Sequence, residues 1–251
     1  MLDWRVPGYR PLRELRPGTV LARHEASGHP VLLRYHPPSP EPEVAARRAE
    51  ARALAGLASP HIASLYEHIE VALPGQPADA VGAVTVREYV DGASVRSLLA
   101  RSPLPPESAL SLLRAGLLAL QRAHEAGVTH RGYKPENLLV DVQGSARLAD
   151  FAVTPAGAPA EEATTDPRNR ATEDVRAAFA VFVACLGAQA GKLPRRLRGL
   201  APVGATGDGP ALLEAVEQAG RAGWGPQWRS RGEQELARRV ARARRRGEAV
   251  A

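Results

Sequence analysis

Chemically capable side chains are densest in His130-Arg-Gly-Tyr-Lys-Pro-Glu-Asn-Leu-Leu-Val-Asp141, and thirteen residues after Asn137 a second group contains Asp150, Ala149-Asp150-Phe151-Ala152. At the heart of the first, Gly132 has no side chain and can accept no proton. Its neighbour Tyr133 is a poor base at neutral pH, because an unperturbed phenol ionises near ~10. Cys185 is the one cysteine, which excludes an internal disulfide framework and leaves any zinc site to histidines and carboxylates. Its apolar setting, Phe179 to Leu186, points to a packed core thiol rather than a nucleophile. A third concentration follows Pro226, where Arg229, Arg231, Arg238, Arg239, Arg242, Arg244, Arg245 and Arg246 outnumber Glu233, Glu235 and Glu248. A basic helix there could meet phosphate, acidic lipid or an acidic protein, and the plain alternative is a solvated helix face. No aromatic is interleaved among these arginines, which weakens a single-strand nucleic-acid reading.

The elements that must position these groups follow from pattern and punctuation. Residues 12–36 read as short strands, Val20–Ala22 and Val31–Leu33 being separated by the turn-like Ala26-Ser-Gly-His-Pro30. A helix is expected from Glu43 to Leu57, ended by Ser59-Pro60. Apolar pieces at Ile62–Ile69 and Val81–Val90 complete a small sheet. After Asp91-Gly92 the character turns helical, with Ser94–Leu99 and then Pro106–Ala126, which carries Leu110, Leu113, Leu117 and Leu120 on one face. Leu138–Val140 and Arg147–Ala149 read as strands around the turn Asp141 to Gly144, residues 155–172 as a loop, and Thr172–Ala190 as a buried helix. A composition of 44% hydrophobic and 24% charged residues is globular rather than disordered. The start, Met1 to Arg5, lacks the apolar stretch of a signal peptide, and the run Ala177–Ala190 is too short to cross a bilayer. A cytoplasmic protein is expected.

With the residues set out, the stretch from His130 resembles the catalytic loop of the eukaryotic-like (Hanks-type) bacterial serine/threonine protein kinases, written H-R-D-x-K-P-x-N. Asp150-Phe151-Ala152 is similar to that family's metal-binding D-F-G with its glycine replaced. Val86-Arg-Glu-Tyr-Val-Asp-Gly92 resembles its hinge, Glu50 matches the glutamate of the small-lobe helix, and Thr172-Glu-Asp174-Val resembles the start of the central large-lobe helix. Pro226-Gln-Trp-Arg229 is similar to the D-P-x-x-R that begins its last helix. The resemblance implies an α+β, two-lobed protein-kinase-like fold. It has a small β-rich N-lobe over residues 1–90 and a trimmed, mainly helical C-lobe over residues 91–251, ending in the basic helix.

The departures from the family are as informative as the matches. Gly132 stands where the family carries the aspartate that orients the substrate hydroxyl and accepts its proton. The glycine loop that covers nucleotide phosphates is reduced to Leu15-Arg-Pro-Gly-Thr-Val20, with one glycine, Gly18, and a proline that removes an amide donor. Arg34 matches the phosphate-pairing strand lysine, keeping its charge but not its compact geometry. Arg87 precedes the hinge glutamate Glu88, where an apolar residue is usual, and needs an anion or solvent for its guanidinium. Glu50 and Asp150 are the expected partners of Arg34 and Arg87. Arg229 lacks the glutamate it pairs with in the family, and Glu161 or Glu162 is the expected substitute.

These departures imply a catalytically inactive member, a pseudokinase acting as a regulatory or scaffolding module. Its partner would be a protein: another kinase, a substrate or a regulator. No catalytic residue and no cofactor are expected. Weak ATP and magnesium binding is the alternative, through the degenerate nucleotide positions Gly18, Arg34, Glu50, Arg87, Glu88, Val90 and Lys134 and the metal positions Asn137 and Asp150. Two other classes stay open. An atypical ATP-dependent phosphoryl or nucleotidyl transferase is favoured by Asn137 and Asp150 and opposed by the short glycine loop and Arg87. A basic adaptor for nucleic acid or an anionic surface would bind with strong salt dependence.

Overall fold

The computed structural model describes residues 6–39, 41–72, 81–151, 166–188 and 193–247. They fall into two compact units parted between Tyr89 and Val90, with residues 59–62 belonging to the second.

The first unit is an antiparallel sheet in the order β1-β2-β3-β5-β4, with one helix. Its strands are β1 (Tyr9–Arg16), β2 (Thr19–His24), β3 (Pro30–His36), β4 (Leu65–Ala72) and β5 (Val81–Glu88), and α1 (Glu41–Ala55) packs on β4. Period-2 alternation decides which face is buried. Val31 and Leu33 of β3 join Val20, Ala22, Val84, Val86, Val6 and Tyr9 in an apolar cluster. The intervening positions of β3 put Arg34 opposite Thr85, and Thr85 in turn lies opposite His68 of β4. The second face is therefore polar.

That polar face has a consequence for pH. The His36 ring is hydrogen-bonded to the Thr85 hydroxyl at 3.1 Å. Burial, and then repulsion by the cations Arg47, Arg34 and Arg87, push the His36 pKa from 6.5 down to about 3. His68 and His61 are lowered too, in each case chiefly by burial. His36 is neutral in the folded protein and takes up a proton on unfolding, so its contribution is complete above about pH 6.5 and declines as pH falls toward 3. At pH 5 the loss from one such histidine is about 2 kcal/mol. Urea denaturation is expected to show stability falling between pH 7 and pH 5, with His36→Gln flattening that fall; parallel curves for the two proteins would show that this histidine is not the source.

The second unit is built round α3 (Pro106–Glu125), whose Leu110, Leu112, Leu113, Leu117 and Leu120 are all buried. Burial of residues 112 as well as 113 widens the expected leucine stripe, because several elements cover this helix. Packed on it are α4 (Pro167–Cys185), α6 (Gly209–Trp224) and α7 (Trp228–Arg245). The short helix α5 (Leu200–Thr206) bridges α4 and α6. A three-stranded sheet, β6 (Gly92–Ser94), β7 (Leu138–Asp141) and β8 (Ala146–Leu148), is followed in sequence from β6 by α2 (Val95–Leu99). Ser94 caps α2 by accepting the Ser97 N–H at 3.3 Å.

Two expectations are corrected here. The loop expected up to residue 172 ends sooner, because Asp166 accepts the Arg168 N–H at 2.9 Å and Pro167 sits where a missing N–H costs nothing. Residues 152–165 lie outside the described residues, so the rest of that loop does too. The basic C-terminal helix is not simply a solvated face. Trp228, Leu236, Val240 and Ala243 bury one side of α7, each large apolar side chain contributing about 2 kcal/mol, while its arginines line the other. Cys185 is fully buried, and burial raises its thiol pKa to about 12, in keeping with a core role. Among the described residues no helix is long and apolar enough to cross a membrane.

Candidate functional site

The loop from His130 to Asn137 is held by a buried carboxylate forty-four residues away from its first residue, that of Asp174 on α4. Asp174 accepts the His130 N–H at 2.6 Å, the Arg131 N–H at 2.7 Å and a hydrogen bond to the His124 ring at 3.0 Å. Sequence reading places Asp174 at the start of a helix and gives it no part in the loop. The available signal is an acid followed directly by the apolar run of α4, where an unpaired carboxylate could not be buried. Arg131 adopts φ +57°, a left-handed conformation that its bonded N–H helps to hold. The His130 ring accepts the Gly132 N–H on Nδ1 at 3.2 Å, so Nε2 carries the proton and donates to the Ala149 carbonyl at 3.0 Å. It also packs against Phe151, centroid to centroid 4.6 Å. His130 thus ties the loop to the strand end before Asp150.

Gly132 is half-buried, and it is not among the residues with positive φ, so its conformation does not demand a glycine. Its carbonyl accepts the Asn137 side-chain amide at 3.0 Å, and the Asn137 carbonyl accepts the Ala149 N–H at 2.8 Å. Asn137 is therefore a brace across the loop, with only its side-chain oxygen left for a cation. Asp150, at φ +55°, is half-buried. Lys134 is exposed. Among the described residues no group of three or more histidines, cysteines, aspartates and glutamates could hold a metal. Magnesium held by one or two protein oxygens depends on substrate phosphates for the rest of its shell. Tyr133 is buried with its hydroxyl against Gly116, and burial raises its pKa above the ordinary phenol value.

The remaining candidates lie in the first unit, apart from Val90, which is buried in the second. Gly18 sits in the two-residue turn Pro17-Gly18 joining β1 to β2, at φ +72°, and its carbonyl accepts the Tyr35 N–H at 2.8 Å. No loop long enough to wrap a triphosphate exists at that turn. Arg34 is central in β3, between Thr19 and Thr85, and Arg87 in β5 lies between Leu32 and Leu65. Glu88 is committed to Ser64, whose N–H its carboxylate accepts at 3.1 Å and to whose carbonyl its own N–H donates at 2.8 Å. The side chain of Glu50, on α1, lies outside the described residues, and neither Arg34, Arg87 nor Asp150 is without an interaction partner. Arg229 pairs with Glu217 of α6, which Arg114 of α3 also meets at 2.7 Å; the expected substitutes Glu161 and Glu162 lie outside the described residues. Burial opposes ionisation of Glu217, but the bonds from Arg229 and Arg114 hold its carboxyl below its usual range.

The protein kinase domain family matches residues 19–173, from β2 into α4. The chain belongs to the protein kinase family. Its α+β architecture is that of the kinase fold, with a five-stranded antiparallel sheet in one unit and helices dominating the other. It is 37% identical over 119 residues to the serine/threonine-protein kinase PknL of Mycobacterium tuberculosis, covering 47% of this chain and 28% of PknL. It is 38% identical over 120 residues to PknA of the same species, covering 47% of this chain and 27% of PknA. For PknB of Mycobacterium leprae the identity is 30% over 118 residues, covering 47% and 18%. The match spans less than a third of the length of these curated relatives. Outside the family match lie α5, α6 and α7, and with them the Glu217–Arg229 pair.

Proposed function

We propose that this kinase-family chain is a pseudokinase, a cytoplasmic module that transfers no phosphate and acts by binding a protein partner. The observation that carries the reading is Gly132. In the kinase loop the aspartate at that position receives the hydroxyl proton as the phosphoryl group moves. Here the side chain is a single hydrogen, and the neighbours Tyr133, Asn137 and His130 are committed elsewhere. Tyr133 turns its hydroxyl into the core against Gly116 with a raised pKa, and Asn137 spends its amide on the Gly132 carbonyl. His130 has both ring nitrogens engaged, one with the Gly132 N–H and one with the Ala149 carbonyl. The two-residue Pro17-Gly18 turn adds support, because backbone amides that would cradle phosphates are missing from it.

The test is incubation with γ-labelled ATP and magnesium, alone and with generic acceptor proteins. Incorporation no higher than a heat-treated control is expected. Labelling that rises well above that control and disappears in Asp150→Ala would overturn the proposal. The same preparation is expected to show little ATP-dependent rise in melting temperature. A ligand at a hundredfold excess over its Kd stabilises by about 2.7 kcal/mol, so weak sites are readily told from strong ones.

A further inference from the structure

The arginine-rich side of α7 forms one wall of a concave site in the second unit. We propose that the groove between α2 and α7 binds a phosphoserine or phosphothreonine side chain of a protein partner. Arg239, Arg242 and Arg246, spaced three and four residues apart, share one face of α7. Ser97 and Arg101 face them from α2 and the turn beyond it, over a floor of Leu98 and Ala243. The groove holds about 140 Å³. That is room enough for a phosphoryl group with the carbon that carries it.

The wall is built rather than incidental. Arg239 donates from Nη1 to the Ser102 carbonyl at 3.0 Å and from Nη2 to the Pro103 carbonyl at 2.9 Å, and it pairs with Glu235 at 3.3 Å. It is spent on fixing the segment after α2 against α7. Arg242 and Arg246 are different. Both are exposed, and among the described residues neither side chain makes a hydrogen bond or ion pair. No acidic side chain lines the groove among the described residues, and Glu235, four residues before Arg239, is taken by Arg238 and Arg239. The guanidinium groups of Arg242 and Arg246 lie on the same helix face one turn apart and repel one another, and a dianion relieves that repulsion.

The choice of anion follows from charge and shape. A phosphomonoester carries close to two negative charges and three acceptor oxygens, which planar guanidinium forks match in pairs. A carboxylate brings half that charge. A nucleic-acid strand offers single charges along a line and needs stacking partners, and no aromatic residue lines this groove. The apolar floor suits the carbon stem of a modified side chain. The site stands whether or not the chain transfers phosphate, so its test is separate from the kinase assay.

Binding is measured by fluorescence anisotropy with one peptide in serine and phosphoserine forms, with inorganic phosphate as competitor and a single-stranded oligonucleotide in parallel. The phosphorylated form is expected to bind at least tenfold more tightly than the plain form. The Arg242→Ala/Arg246→Ala variant should lose at least tenfold, and Arg242→Lys/Arg246→Lys a smaller part of that through loss of the paired forks. Arg245→Ala, which removes a single charge outside the groove, should change binding less than twofold. Circular dichroism melting confirms that each variant is folded. Equal binding of the two peptides, an effect of Arg245→Ala as large as that of the groove variant, free phosphate binding as tightly as the phosphopeptide, or tighter binding of the oligonucleotide would each overturn the proposal.

Discussion

Asp174→Ala is expected to destabilise the protein by about 4 kcal/mol, because this α4 carboxylate holds the loop that carries Gly132. The carboxylate is 3% exposed and accepts from two backbone N–H groups and from His124. Truncation leaves the His130 and Arg131 amides without their acceptor, the first of them buried and the second partly so. Each abandoned buried donor costs about 1–3 kcal/mol, with more when its partner was charged. Arg131 would also lose the bond that helps to hold its left-handed backbone. At about 2–4 °C per kcal/mol for a protein of this size, the melting temperature should drop by roughly 10 °C. Glu173→Ala, one residue earlier and exposed, is the matched control and should stay within about 0.5 kcal/mol. Denaturant unfolding of both variants decides the matter. A loss under about 1 kcal/mol for Asp174→Ala would mean that the loop is held by its apolar contacts instead.

Gly144→Ala should cost about 3 kcal/mol, for two reasons that a second glycine allows to be separated. Gly144 closes the turn between β7 and β8 at φ +88°, its N–H bonded to the Asp141 carbonyl at 2.9 Å. A Cβ there carries the ordinary left-handed penalty of about 1 kcal/mol. It would also lie 2.0 Å from the backbone oxygen of Glu233 on α7, which cannot move as a side chain could. Overpacking of that kind adds about 1–3 kcal/mol. Gly127, at φ +74° with open space within 4 Å of where a Cβ would stand, should cost only the conformational part when changed to alanine. Stability measured for the two variants side by side should therefore differ by about 2 kcal/mol. Equal losses would show that α7 yields to the turn, and that the close approach contributes nothing to anchoring it.

Much of the fold was legible because it depends on local pattern. The apolar piece Val31-Leu32-Leu33 and the turn residues before it marked β3, and leucines at helical spacing marked α3. The turn Asp141 to Gly144 could be read from residue types, since only particular residues close so tight a reversal. Helix ends were less legible. The start of α4 at Pro167 depends on Asp166 turning its side chain back onto the Arg168 amide, a choice that an aspartate in a polar stretch does not advertise. Of the candidate site, the empty place at Gly132 and the shortness of the Pro17-Gly18 turn are properties of the chain itself, visible before any folding.

What joins those pieces could not be read in the same way. Asp174 meets His130 and Arg131 across more than forty residues, Glu217 takes Arg229 from the outer helices, and Arg242 comes to face Ser97 across a groove. Even the neutrality of His36 is a tertiary property, since it depends on burial and on Arg47 and Arg87, which come from other elements. A repeating pattern of apolar side chains records which face of an element is buried. It carries no record of which distant donor will find which acceptor once water is excluded, because that pairing is fixed by the distances and burial that packing alone creates.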